Sequence, residues 1–215
     1  MKFFDIHTHK LSSDLAIISL SVKEISEKYN DENLFSVGIH PWFIDEENID
    51  KEVDLINEYS NKKNIVLIGE IGIDKNIETP VNIQKQVFIK QLEIAEKLNK
   101  PVIIHCVKAI DELLEIKKKF KIKKWVFHHF SGNIQMANQL IDNGFYLSLS
   151  PNILNNLKLI ETVKLLPKDK FFIETDNTGY EISYMYENVS KIRNIKIEKL
   201  IEQQNENFKN LIDGN

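Results

Sequence analysis

Short apolar runs rich in Val, Ile and Phe recur along the chain. Each is followed by a longer segment in which apolar residues recur at helical spacing, so the pattern predicts strands that alternate with helices. One run, LAIISLS, predicts a strand less clearly than the others and is also compatible with a loop or a helix. The eight predicted strands are KFFDIHTH, LAIISLS, LFSVGIH, IVLIGEIGI, PVIIHCV, WVFHHF, FYLSLS and FFIETD.

The segments between these runs predict helices with recognisable ends. Thr79-Pro80 is typical of an N-cap followed by the first helical residue, and Asn143-Gly144 is typical of a C-cap. Apolar strands that alternate with helices predict a parallel sheet covered on both faces, and eight such units close a (β/α)8 TIM barrel of the α/β class. The predicted helices are NIDKEVDLINEYSN, TPVNIQKQVFIKQLEIAEKLN, DELLEIKKKF, NIQMANQLIDNG and NILNNLKLIETVKLL.

Length and composition bear on the number of domains. The 215 residues are 42% hydrophobic, which suffices for one large core, although two small domains would also fit. The seven Gly and five Pro are scattered and mark no linker, so we expect one domain over residues 1–215. The single cysteine, Cys106, excludes an intramolecular disulfide and indicates a reducing compartment.

Charge and hydropathy favour a cytoplasmic protein that does not enter a membrane. Polar residues interrupt the N-terminal apolar run, so it does not resemble a secretory signal, and no apolar run reaches membrane-spanning length. The net charge of −4 provides no general attraction to nucleic acid. We expect a monomer, although nothing in the sequence fixes the oligomeric state.

All six histidines lie at the predicted C-terminal ends of strands, where TIM barrels carry their active sites. In DIHTH, strand alternation places His7 and His9 on one face, where they form either a metal clamp or a hydrogen-bonded structural pair. The clustering of the other histidines favours the metal clamp. The remaining polar residues at strand ends are His40, Glu70, His105, His128, His129, Glu174 and Asp176.

The residue types predict the chemistry. Imidazoles suit Zn²⁺, whereas carboxylates suit Mg²⁺ or Mn²⁺ and can bridge two ions. We therefore predict a mixed nitrogen and oxygen site for one or two divalent ions that activates water for hydrolysis, with Asp176 placed to bind metal and take a proton. The predicted ligands are His7, His9, Glu70, His105, His128 and Asp176.

Several neighbouring residues have two interpretations. As neighbours on a strand, His128 and His129 face opposite sides, so we expect only His128 in the site, unless a bulge exchanges them. His40 forms either a structural hydrogen bond ahead of Pro41 or a contact to substrate. Glu174 lies deeper than Asp176 and is expected to orient a ligand, with Asp5 and Asp74 as weaker candidates for the same role.

A basic stretch and two aromatic residues bear on nucleic-acid binding. KKKFKIKKW, residues 117–125, joins a helix to the next strand and is therefore expected on the side of the barrel opposite the metals. The loops expected beside the metals, such as IDEENID, are acidic and would steer a long polyanion poorly. For Trp42 and Phe43 we expect packing on a helix in preference to stacking on a base.

In order, DIHTH, GIHPW, GEIGID, IIHC, HHFSG and IETD resemble the TatD family of metal-dependent hydrolases within the amidohydrolase superfamily. The resemblance covers nearly the whole chain. It implies a TIM barrel with two divalent ions (Mg²⁺, Mn²⁺ or Zn²⁺), bound by the six predicted ligands, with Glu70 bridging them and Asp176 as ligand and base. Members of the family include magnesium- or manganese-dependent deoxyribonucleases.

The chain departs from the family near the expected substrate. Val107 and Lys108 follow the His-Cys pair where the family often has an Arg, and Asn177 and Thr178 follow ETD where Ala-Pro is common. Lys75 and Asn76 follow GEIGID where the family often has an aromatic residue and an Arg. We expect His40 and Lys108 to contact substrate, and Asp176 and Glu70 to be catalytic. The resemblance implies hydrolysis of phosphodiesters, at nucleic-acid ends or in small molecules. The alternatives are an amidohydrolase or phosphomonoesterase on the same scaffold, and a non-catalytic metal-binding or binding subunit.

Overall fold

The computed structural model describes residues 2–11 and 15–212. It contains all eight predicted strands, including LAIISLS, which forms a strand with five consecutive buried residues and neither a loop nor a helix. The strands are β1 (Phe4–Thr8), β2 (Leu15–Ser21), β3 (Leu34–Gly38), β4 (Ile65–Asp74), β5 (Val102–Val107), β6 (Trp125–Phe127), β7 (Phe145–Leu149) and β8 (Phe171–Ile173).

The helices follow the predicted segments, with two corrections. The N-cap of the third helix is Pro80 and not Thr79, so the helix begins one residue later than predicted. NILNNLKLIETVKLL is not a single helix, because a 3-10 helix at Pro151–Asn155 ends before Asn156, whose side chain caps the next helix by accepting the Leu159 N–H at 3.1 Å. The α-helices are α1 (Val22–Lys28), α2 (Ile49–Ser60), α3 (Val81–Lys97), α4 (Ile110–Lys117), α5 (Ile134–Asp142), α6 (Leu157–Leu165), α7 (Ile182–Arg193) and α8 (Ile197–Ile212).

The strand order confirms the predicted fold class. The eight strands follow one another from β1 to β8 in a single sheet, and the pairs β3–β4, β4–β5 and β7–β8 are parallel. A parallel bridge also joins Thr8, at the end of β1, to Asp176, just beyond β8. This order, with helices between the strands, is that of a (β/α)8 barrel. Within the described residues, no helix is long and apolar enough to span a membrane.

Residue contacts group the chain into two compact units. The first comprises residues 1–17 and 126–214, and the second comprises residues 18–125. The first unit includes β1, β7 and β8, and the second includes β3, β4 and β5; the boundaries fall within β2 and β6.

In the first unit, buried polar side chains tie helices to strands. The hydroxyl of Tyr186 on α7 donates to the carbonyl of Phe4 at 2.9 Å and accepts its N–H at 3.2 Å. Gln204 and Asn207 on α8 donate to the carbonyl of Phe171 at 3.2 and 3.0 Å. These bonds satisfy backbone groups at the starts of β1 and β8, and they fix the strands that precede Asp176 and carry His7.

In the second unit, two buried glutamines on α3 also form hydrogen bonds to the backbone. Gln84 accepts the N–H of Asp74 at 2.7 Å and donates to its carbonyl at 2.9 Å. Gln91 accepts the N–H of Ile39 at 2.7 Å and donates to its carbonyl at 3.2 Å. Each amide thus fixes the backbone at or beside a strand end. Through these bonds α3 positions Asp74 and also His40, which follows Ile39 in the sequence.

Candidate functional site

Most of the predicted site residues lie at or near the C-terminal ends of strands, as expected for this fold class, whereas Glu70 lies within β4, four residues before its end. They divide between the two units. His7, His9, His128 and Asp176 belong to the first unit, and Glu70 and His105 belong to the second.

The first unit gathers its histidines around the carboxylate of Asp176. Oδ1 lies 3.7 Å from Nε2 of His7 and 3.6 Å from Nε2 of His9, and Oδ2 lies 3.9 Å from Nε2 of His128. His7, His128 and Asp176 each offer one ligand atom, and these atoms all lie within 4.8 Å of one another. We refer to these three residues as the first ligand group.

The backbone holds Asp176 in this position. Its φ of 54° lies in the left-handed region that a non-glycine residue seldom adopts. Its N–H donates to the carbonyl of His7 at 3.0 Å, and its carbonyl accepts from the hydroxyl of Thr8 at 3.4 Å. Because both partners belong to β1, the strand that carries His7 also fixes the carboxylate that approaches it.

Glu174 orients His128, as the sequence predicted. Its Oε2 lies 3.0 Å from Nδ1 of His128 and accepts from the hydroxyl of Ser148 at 2.5 Å, and its Oε1 accepts the N–H of His129 at 3.0 Å. Burial acts to raise the pKa of Glu174, but the charge and hydrogen bond of His128 outweigh it, so the pKa lies below its usual value. An ionised Glu174 leaves Nε2 of His128 directed at Asp176.

Asp5 supports the same region from β1. It accepts the N–H of His7 at 3.2 Å and the hydroxyl of Thr175 at 2.6 Å. Burial raises its pKa to about 7, against the opposing effect of these hydrogen bonds. Asp5 therefore anchors the backbone beside His7 and Asp176.

The placement of His129 corrects the sequence interpretation. Strand β6 ends at Phe127, so strand alternation does not govern the two histidines that follow it. The left-handed φ of His129, 51°, turns the chain and brings its Nδ1 within 3.4 Å of Oδ2 of Asp176. His128 is buried and His129 is exposed, but both approach the same carboxylate. The strand pattern of WVFHHF gave no signal of this turn.

In the second unit, His40, Glu70 and His105 form a second ligand group. Oε1 of Glu70 lies 2.8 Å from Nδ1 of His105 and 3.2 Å from Nε2 of His40. One ligand atom from each residue lies within 4.8 Å of the others. The sequence predicted Glu70 and His105 as ligands but left His40 as a structural or substrate-binding residue. The Pro that follows it in GIHPW marked a turn and did not reveal this contact.

Asp74 joins this group to an aromatic side chain. Its Oδ2 lies 3.2 Å from Nε2 of His105 and accepts the indole N–H of Trp42 at 2.7 Å. Burial acts to raise the pKa of Asp74, but hydrogen bonds from Trp42, the Asn76 N–H and His105 outweigh it, so the pKa lies below its usual value. An ionised Asp74 accepts both bonds and so holds His105 and Trp42.

The expectation that Trp42 and Phe43 pack on a helix is wrong, because their side chains are 57% and 54% exposed.

Of the predicted substrate contacts, Lys108 lies directly after β5, exposed, with a left-handed φ of 53°. Lys75, at the neighbouring end of β4, instead pairs with Glu112 at 2.6 Å.

The donor sets fit divalent metal ions. Each ligand group provides two imidazoles and one carboxylate, the combination that binds Zn²⁺ and that, with added water, also binds Mn²⁺. Each also has a carboxylate that contacts a histidine from outside the group, Glu174 in the first unit and Asp74 in the second. Such contacts orient metal-binding histidines.

Comparison with known proteins agrees with this arrangement. A protein from Buchnera aphidicola, described as an uncharacterized metal-dependent hydrolase, is 28% identical over 221 residues, which cover 90% of this chain and 81% of that protein. A Bacillus subtilis protein with the same description, YabD, is 30% identical over 82% of this chain and 76% of its own length. Human deoxyribonuclease TATDN3 is 26% identical over 86% and 76%.

Solved structures show the same fold. The TatD homologue YJJV from Escherichia coli superposes with a TM-score of 0.81 at 19% identity, over 98% of both chains. A TatD family hydrolase from Entamoeba histolytica gives a TM-score of 0.80 at 18% identity, again over 98% of both chains. The model of the family described as TatD related DNase matches residues 6–213. The chain therefore belongs to the TatD-related DNase family.

Proposed function

We propose that this metal-dependent hydrolase of the TatD family cleaves phosphodiester bonds, at the ends of nucleic acids or in small phosphodiesters. The observation that carries the proposal is the pair of ligand groups, each with two imidazoles and one carboxylate. The name of the human relative, a deoxyribonuclease, points to the same class of bond.

Two divalent ions, Mg²⁺, Mn²⁺ or Zn²⁺, would be held by the chain, one at each ligand group. The first would be bound by His7, His128 and Asp176, with His9 as a further ligand 3.6 Å from the Asp176 carboxylate. The second would be bound by Glu70 and His105, with His40 beside them. Such ions neutralise charge on a phosphoryl group and lower the pKa of bound water toward neutrality.

The side chains around the ligand groups have separate roles in this proposal. Asp176 is partly exposed and directs both carboxylate oxygens at histidines, so it can take a proton from an attacking water while it orients the imidazoles. Lys108 is exposed after β5 and can pair with a phosphate oxygen of the substrate. Glu174 and Asp74 keep His128 and His105 in the orientation that the ligand groups need.

A panel of chromogenic substrates tests the proposal. Methyl p-nitrophenyl phosphate, p-nitrophenyl phosphate and p-nitrophenyl acetate report diesterase, monoesterase and carboxylesterase activity. With Mg²⁺, Mn²⁺ or Zn²⁺ supplied, we expect hydrolysis of the diester to exceed that of the other two, and chelation to abolish it. Removal of one catalytic group commonly lowers turnover by about 100-fold or more, which we expect for Glu70→Gln.

The Glu70→Gln variant also separates catalysis from structural metal binding. A catalytic site loses activity while its unfolding transition stays near that of the wild type, whereas a structural site loses stability together with its metal. Preferential hydrolysis of the monoester or the carboxylic ester would contradict the proposal, as would metal-loaded protein that leaves all three substrates intact.

A further inference from the structure

Trp42 stands out among the large apolar side chains because it is exposed and yet held in place. Its side chain is 57% exposed, and that of its neighbour Phe43 is 54% exposed. The other tryptophan, Trp125, is fully buried. Exposed aromatic rings next to a candidate site are informative, since a ring of this size gains most when it is buried by a partner.

One hydrogen bond holds the indole, and two more hold the backbone that carries it. Its Nε1–H donates to Asp74 at 2.7 Å, and its backbone N–H donates to Nδ1 of His40 at 3.1 Å. The N–H of Phe43 donates to the carbonyl of His40 at 2.9 Å and closes the 3-10 turn at Pro41–Phe43. The side chain therefore loses little further freedom when a ligand covers it, which favours binding.

The rings lie beside the second ligand group. The centroid of Trp42 is 5.1 Å from that of His40 and 5.8 Å from that of His105, and Phe43 is 5.6 Å from His40. A phosphate at His40 or His105 would thus place the base of its own nucleotide within reach of the indole. The polar edge of Trp42 is engaged by Asp74, so the faces of the ring are what it offers to a ligand.

We propose that Trp42, flanked by Phe43, is a stacking subsite for one nucleobase of the substrate. This inference rests on the proposed phosphodiesterase function and narrows its substrate class to phosphodiesters that carry a base. Stacking on an aromatic ring accepts any base, because every base has a π-face, so the subsite confers selectivity for nucleotides without selectivity for sequence.

Intrinsic fluorescence tests the subsite without requiring turnover. In protein supplied with Mg²⁺, dAMP is expected to quench the exposed Trp42 saturably and to leave the buried emission of Trp125 unchanged. Deoxyribose 5-phosphate, which lacks the base, is expected to bind at least about tenfold more weakly and to cause no quenching. Trp42→Phe and Trp42→Leu lack the fluorescent reporter, so equilibrium dialysis measures their binding of dAMP. Trp42→Phe retains a ring and is expected to bind dAMP better than Trp42→Leu.

Substrate selectivity provides the second readout. We expect Trp42→Leu to lower, by about tenfold, the kcat/KM for thymidine 5′-(p-nitrophenyl phosphate) relative to that for methyl p-nitrophenyl phosphate. Tyr184→Leu, which also replaces an exposed aromatic ring by Leu, is expected to leave this ratio as it is in the wild type. The buried emission of Trp125 reports that each variant is folded.

Three results would overturn the subsite: equal affinity for dAMP and deoxyribose 5-phosphate, dAMP binding without quenching of Trp42, or no dAMP binding at millimolar concentration. Failure of the proposed function looks different. Quenching by dAMP in a protein that hydrolyses no phosphodiester would support the subsite and contradict the phosphodiesterase proposal. Hydrolysis of methyl p-nitrophenyl phosphate without dAMP quenching would support the phosphodiesterase proposal and contradict the subsite.

Discussion

Oε2 of the buried Glu174 lies 3.0 Å from Nδ1 of His128, which leaves Nε2 of that ring facing Asp176. A metal ligand held in this way has its ring orientation and its proton position set by a carboxylate that does not itself need to touch the metal. The contact links β8 to the turn after β6, so the fold of the first unit determines which nitrogen of His128 is offered.

Glu174→Gln is expected to weaken metal binding at the first ligand group by about 10- to 100-fold, because the amide no longer fixes the His128 ring as an anion does. Competition with a chromogenic chelator measures this change. Glu161→Gln removes one carboxylate from an exposed position on α6 and serves as the control, with no change expected. Equal metal affinity in the two variants would show that Glu174 does not orient a ligand.

Gly72→Ala is expected to lower the free energy of unfolding by about 3 kcal/mol or more. The φ of Gly72 is +154°, and an added Cβ would lie 1.8 Å from the carbonyl oxygen of His105, its partner in the β4–β5 pairing. Urea denaturation measures the loss. Gly179→Ala is the matched control, since nothing lies within 4 Å of its added Cβ. A Gly72→Ala protein as stable as Gly179→Ala would contradict this packing.

Lys100 is expected to make stability depend on pH. It is half-buried at the end of the α3–β5 connection, its Nζ donates to the carbonyls of Ile65 and Lys62, and burial lowers its pKa from 10.5 to about 8. Between these two values the unfolded chain binds more protons than the folded one, so the free energy of unfolding rises with pH across that window. Below about pH 8 the charged amine opposes folding.

Lys100→Met is expected to remove this rise, and Lys97→Met, at the exposed last residue of α3, is expected to retain it. Urea denaturation of the three proteins at several pH values from about 7 to 10.5 measures the slopes. If the wild type and Lys100→Met show the same slope, Lys100 does not titrate as its burial indicates.

Much of the architecture was predictable because local pattern and fold agree. Apolar runs such as IVLIGEIGI form strands at the predicted places, and the order β1 to β8 matches the predicted fold class. The sequence also predicted that Glu174 orients a ligand, on the premise that Glu174 and Asp176 share one strand face. The structure shows the contact of Glu174 with His128, although β8 ends at Ile173, before both residues.

Other parts depend on backbone geometry that residue patterns do not reveal. The left-handed conformations of His129 and Asp176 bring these residues together, and strand alternation predicted the opposite for His129. The exposure of Trp42 follows from a 3-10 turn capped by His40 and from its bond to Asp74, 32 residues away in sequence. Long-range pairings of this kind become visible only in three dimensions.

The central claim is metal-dependent cleavage of phosphodiesters by these side chains. Release of nucleotides from end-labelled single-stranded DNA, in the presence of Mg²⁺ or Mn²⁺, tests it most directly when the wild type is compared with Asp176→Asn. We predict release by the wild type that chelation abolishes and that Asp176→Asn lowers by at least about 100-fold. Absence of release from folded, metal-loaded wild type, or equal release by Asp176→Asn, would contradict the account.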